Sequence, residues 1–153
     1  MNTEFVQEMN TLLSEELGAV QSYDLALERA KNPRVIQTME RCRQCHFERS
    51  LLLRKRIEAS GGEPTESSGL WGGFDKWVQQ SASSERDAVA LLEESEAERL
   101  VNYEADLSIL PDEVLGVVEL NLLPAQHETH LAISMLLREI SPIKPAPNTV
   151  TSK

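Results

Sequence analysis

Glu16 and Glu96 are the first residues that demand an explanation. Glu16 lies between Leu12 and Ala19, and Glu96 between Leu92 and Leu100, at the three- and four-residue steps of an apolar helix stripe. A carboxylate on such a stripe is costly unless it is paired, hydrogen-bonded or bound to a cation. His46 and His130 take corresponding stripe positions on the segments that follow, so two acids and two histidines are expected to converge at mid-core. His127-Glu128-Thr129-His130 adds a second imidazole three residues before the first, on one helical face with Glu96 opposite. Two histidines and a carboxylate could hold a single iron, zinc or manganese ion. A hydrogen-bonded cluster of His, Glu and Arg without metal satisfies the same residues, and the sequence favours it. Tyr23 and Tyr103 follow the acids by two turns, where their hydroxyls could bond across the core.

Four segments with helical period must position these groups. The first runs from about Thr3 to Ala30 on a stripe that includes Phe5, Met9, Leu12, Ala19 and Tyr23. The second opens at Asn32-Pro33, a capping residue followed by proline at the first helical position, and stops at Gly61-Gly62. The third follows the serine-rich stretch 81–84 and reaches about Ile109; the fourth runs from Pro111-Asp112 to Ser141-Pro142. Pro124 falls inside the fourth, where it removes a backbone bond and predicts a kink one turn before His127. Very short turns join the first pair and the last pair, so each pair reads as an antiparallel hairpin.

The hairpins are alike. Met9, Glu16, Val20, Tyr23 and Leu27 recur as Val89, Glu96, Leu100, Tyr103 and Leu107. At a spacing four residues wider, Ile36, Met39, His46, Ser50 and Leu53 recur as Leu120, Leu123, His130, Ser134 and Leu137. A duplication with a pseudo-two-fold axis follows. Between the hairpins, residues 61–81 form a crossover whose Trp71 and Trp77 are expected to cover the core or to receive a partner.

The chain has 153 residues, enough for one domain with a real core, and a formal net charge of −10. Nucleic acid and anionic membranes need a basic footprint, so neither is an expected partner. The first residues lack the basic and apolar runs of a secretory leader, and no apolar stretch reaches the roughly 20 residues that span a bilayer. A cytoplasmic setting with reduced thiols is the expectation.

Cys42-Arg43-Gln44-Cys45-His46 fits the C-x-x-C-H attachment pattern of c-type haem. The motif is central in a long helix, no export segment is evident, and the counterpart of His46 at His130 has no cysteines before it. Two small, reduced thiols are the simpler reading.

Beyond periodicity, the chain is similar to the bacterial ferritin-like family called domain of unknown function 2383. The similarity rests on Gly61-Gly62-Glu63-Pro64, Ser68-Gly69, Trp77, Glu96, Tyr103 and the Leu110-Pro111 turn. Ferritin-like di-iron bundles take one Glu from each of two helices and a Glu-x-x-His pair from each of the others. On that plan the bridging glutamates would fall at positions 43 and 127, which hold Arg43 and His127. Arginine cannot ligate a metal and carries a permanent positive charge. The resemblance therefore implies Arg43 as a buried salt-bridge partner of Glu16 and Glu96, standing where iron would lie.

The sequence thus predicts an all-α, ferritin-like, up-down-up-down four-helix bundle over residues 1–141, with a flexible tail over 142–153. It is expected to be a structural or interaction module, possible as a homodimer, with a degenerate metal site and no cofactor. The alternative is a metal-binding or iron-dependent redox protein using Glu16, His46, Glu96, His127 and His130.

Overall fold

The structure is a computed structural model that describes residues 3–68 and 84–141. Trp71, Trp77, the remainder of the expected crossover and the tail 142–153 lie outside the described residues. The described chain is all-helical and forms four rods. Helix α1 is Thr3–Leu27, α2 is Pro33–Ala59 and α3 is Glu85–Asp106. The fourth rod is compound: α4 (Asp112–Val117), a π-helical turn (Val118–Leu122) and α5 (Leu123–Ile140).

Local chemistry sets the boundaries. Asn32 caps α2 by accepting from the Arg34 N–H, and Pro33 occupies the first turn, where no backbone donor is needed. Gly61 ends α2 in the left-handed region at φ 86°, which lets the Gly62 N–H reach back to the Ile57 carbonyl at 3.0 Å. Ser84 caps α3 by accepting from the Asp87 N–H at 3.1 Å. The Glu85 carboxylate, in the first turn of α3, also accepts from the backbone N–H groups of Lys31 and Asn32 at 2.5 and 2.8 Å. The turn between α1 and α2 is thereby tied to the start of α3.

Side-chain pairs fix the directions of the rods. Tyr23 reaches Glu96 while Tyr103 reaches Glu16, so α1 and α3 run antiparallel. Arg34 pairs with Glu139, and Arg49 with Thr129, so α2 and α5 also run antiparallel. Helices α2 and α3 are then parallel, and the order is up-down-down-up. The expected up-down-up-down order is corrected on this point. The chain leaves α2 at one end of the bundle and enters α3 at the other. After α2, the described residues 63–68 run along α1. Glu63 accepts from Asn10, Thr65 donates its N–H to Asn10, and Ser68 donates to Gln21 further up.

The core has two apolar clusters. One gathers Tyr23, Ala26, Val35, Met39, Cys42, Ala88, Val89, Leu92, Ile133 and Leu136. The other gathers Met9, Leu12, Leu13, Leu53, Ile57, Tyr103, Val114, Val117, Val118 and Leu122. Between them lies a buried polar layer.

The π turn positions one quarter of that layer. Leu123 donates its N–H to the Val118 carbonyl, the five-residue step of a π-helix. Pro124 follows at the start of α5, where its missing donor goes unmissed. The expected irregularity is therefore a wide turn that inserts one extra residue. Before it, Val35, Thr38 and Met39 match Val114, Val117 and Val118 in burial; after it, Cys42, His46, Arg49 and Leu53 match Leu122, Gln126, Thr129 and Ile133.

Candidate functional site

The polar layer is built on His46, which is fully buried. Its Nδ1 lies 2.6 Å from Glu16 Oε1 and its Nε2 lies 2.7 Å from Glu96 Oε2. The imidazole therefore bridges two carboxylates that are themselves buried.

Every carboxylate oxygen has a donor. Glu16 Oε2 accepts from the Tyr103 hydroxyl and from Arg49 Nη1 at 3.4 Å. Glu96 Oε2 accepts from the Tyr23 hydroxyl at 2.5 Å. Glu96 Oε1 accepts from Gln126 Nε2 and Thr129 Oγ1, both at 2.7 Å. Arg49 also donates to Gln126 Oε1 at 2.5 Å, Thr129 Oγ1 at 2.8 Å and the Ala125 carbonyl at 3.0 Å. One connected network thus joins α1, α2, α3 and α5.

The network obeys the pseudo-two-fold. Glu16 with His46 and Arg49 corresponds to Glu96 with Gln126 and Thr129, and the two tyrosines cross over in matching fashion. At these matched positions the halves differ in charge: the first hairpin supplies two cationic side chains where the second supplies a neutral amide and a hydroxyl, although the second also buries Arg99 on α3, whose charge favours ionised Glu16.

Electrostatics follow from burial and these contacts. Burial alone would push both glutamates up. For Glu16, Arg49 and the His46 ring reverse that and hold it well below the usual carboxylate range. For Glu96, the His46 ring and the Tyr23 and Thr129 hydroxyls bring it down to about 2. Burial and the neighbouring carboxylates raise both tyrosines well above their ordinary value, so they remain hydroxyl donors. Ionised carboxylates only accept, so both His46 nitrogens donate and the hydrogen-bond pattern assigns a doubly protonated imidazolium. Beside this layer, half-buried Glu15 is pushed up to about 7, chiefly by burial and against the pull of Arg99.

Of the expected site residues, Glu16, His46 and Glu96 converge. His127 is exposed. His130 is partly exposed and pairs with Glu93 at 3.0 Å on the flank between α3 and α5. Both lie outside the layer because Gln126 takes the position matching His46. His127 is turned about 100° away from it round the helix, and His130 sits one turn beyond.

Arg43 is not the buried partner of Glu16 and Glu96. It pairs with Asp24 at 2.5 Å at the surface, since a position three before His46 faces the flank of α1. The guanidinium that α2 buries is Arg49, three residues after His46, and α3 buries a second, Arg99, whose charge also favours ionised Glu16. The signal for Arg49 was present in the sequence, on the step from His46 to Leu53, and Gln126 and Thr129 likewise stand between Leu122 and Ile133.

We compared the chain with known proteins. Nothing matches: no family model, no curated protein and no solved structure.

The residues present do not fit the dinuclear metal centre that the ferritin-like resemblance implies. The bridging acids are missing, a guanidinium contacts one carboxylate, and all four carboxylate oxygens are engaged. They do not fit a single ion either. The two glutamates face opposite nitrogens of one ring, so a metal on either nitrogen would have one of them out of reach. Among the described residues, no group of three or more His, Cys, Asp and Glu side chains is arranged to hold a metal ion.

Arg49→Met should destabilise the protein by roughly 3–5 kcal/mol in urea unfolding, because it strands a buried carboxylate. Arg43→Ala, which breaks a partly exposed pair, should cost less than about 1 kcal/mol. Equal effects would contradict the placement of the buried cation. The pH dependence has a definite sign. Glu96 is depressed from 4.5 to about 2, so the unfolded chain takes up its proton first and stability falls as pH drops through that window. Glu15 is raised from 4.5 to about 7, so its contribution is lost as pH rises through that window. Urea midpoints from pH 2 to pH 8 should show both slopes, and Glu15→Gln should flatten only the upper one.

Proposed function

We propose that this chain is a ferritin-like helical bundle whose metal centre has been replaced by side-chain cations, and that it serves as a structural or interaction module. The observation that carries the proposal is His46, fixed between Glu16 and Glu96 with Arg49 beside it. A dinuclear centre neutralises buried carboxylates with metal charge; here an imidazolium and a guanidinium provide that neutralisation.

The ferritin-like assignment draws support from four helical rods, a related pair of core glutamates and the up-down-down-up order. A role in interaction draws support from the surface. Large apolar side chains are exposed mainly on the second hairpin, with Val101 at 62%, Ile109 at 75%, Leu120 at 73% and Leu131 at 60%. The partner proposed for these exposed apolar side chains is a protein surface, including a second copy of this chain.

The alternative, a single iron, zinc or manganese ion serving a binding or redox role, rests on the convergence of Glu16, His46 and Glu96 and requires His46 to leave its place between the two carboxylates.

One experiment separates these readings. Untagged protein should carry no stoichiometric metal by elemental analysis, keep its melting temperature in chelator, and leave ferrous ion unoxidised in air beyond the buffer rate. One or two equivalents of bound iron with oxygen consumption would overturn the proposal in favour of the metal reading.

A further inference from the structure

Cys42 and Cys45 border the carboxylate network without touching a carboxylate: Cys42 shares a hydrogen bond with Tyr23, and Cys45 with Arg49. Both line a small cleft of about 100 Å³ between α2 and α5, together with Arg41, Glu128, Thr129 and Ala132. Their environments differ. Cys45 is half-buried, and Arg49 Nη2 donates to its sulfur at 3.5 Å. Partial exposure beside a permanent cation is the setting of reactive thiols. Cys42 is buried one turn earlier in the same cleft, and burial pushes its thiol up to about 12, so it stays protonated.

We propose that Cys45 and Cys42 form a reversible thiol switch that reacts with hydroperoxides. Cys45 attacks as the thiolate, having given up its proton. Its sulfur bonds to one peroxide oxygen, the O–O bond breaks, and the other oxygen leaves as water or an alcohol after taking a proton. A sulfenic acid remains on Cys45. The Cys42 sulfur then attacks the Cys45 sulfur, its proton leaves with the hydroxyl group as a second water, and an S–S bond forms. The two thiols supply the two electrons that reduce the peroxide.

Geometry sets the character of that bond. Residues three apart on a helix have Cβ atoms about 5–6 Å apart, whereas a disulfide needs roughly 3.5–4.5 Å. One turn of α2 must tighten to close it, so the disulfide is strained and easily reduced by a dithiol. Closure also draws the Cys45 sulfur away from Arg49.

The test treats folded, fully reduced protein with hydrogen peroxide and reads the products by mass spectrometry. The chain should lose two hydrogens and gain no oxygen. Arg43 lies between the cysteines, so trypsin without reductant should release Cys42-Arg43 joined to the peptide 44–49, and dithiothreitol should separate them. Cys42→Ser should instead hold one oxygen at Cys45, trapped by dimedone. In the untreated protein, iodoacetamide should label Cys45 roughly tenfold faster than Cys42, and urea should abolish that difference. The proposal is overturned if both thiols survive a dose that oxidises glutathione, if Cys42 oxidises as fast in Cys45→Ser, or if the disulfide joins two copies.

Discussion

Two carboxylates buried at the centre of a helical bundle constrain everything around them. Neither Glu16 nor Glu96 could remain ionised there without positive charge and donors on every oxygen. His46 serves both carboxylates at once, because one imidazolium can donate to two carboxylates only when it lies between them, and Arg49 adds its charge at Glu16. That position requires four helices to bring their side chains to one level. The two apolar clusters on either side supply the burial that drives folding, whereas the polar layer fixes how the rods are set against one another.

The two hairpins bring related residues to the layer, and the differences between them decide where its charge lies. In the first hairpin the positions facing the glutamate carry His46 and Arg49. In the second they carry Gln126 and Thr129, which are neutral donors. Arg99, buried on α3, adds a third positive charge that favours ionised Glu16 and Glu15. The π turn before Pro124 belongs to the same arrangement. By inserting one residue it carries the register of α5 forward, so that Gln126 and not Ala125 faces Glu96.

Much of this was legible in the sequence. The apolar period, the Asn32-Pro33 start, the Gly61-Gly62 stop and the recurrence of Glu16 and Tyr23 as Glu96 and Tyr103 located the helices and the core acids. The second helix of each hairpin was harder. Matching His46 to His130 paired like residue with like, but the extra residue of the π turn and the neutral substitutions moved the true counterpart to Gln126. Arg43 was drawn into the core by the Glu-x-x-His spacing of metal-binding bundles. Helix geometry turns that position towards Asp24, and Arg49, on the other side of His46, takes the buried role. The direction of α3 could not be read from period at all, because it depends on where the long connection delivers the chain.

The central claim is that a doubly protonated His46 bridges the two buried glutamates. Nitrogen-15 NMR of the histidine rings at neutral pH tests it most directly. The account predicts that both His46 ring nitrogens carry hydrogens that exchange slowly with water and show cross-hydrogen-bond contacts to the side chains of Glu16 and Glu96. A neutral His46 with one bare nitrogen, or a ring signal that moves on adding iron or zinc, would contradict it.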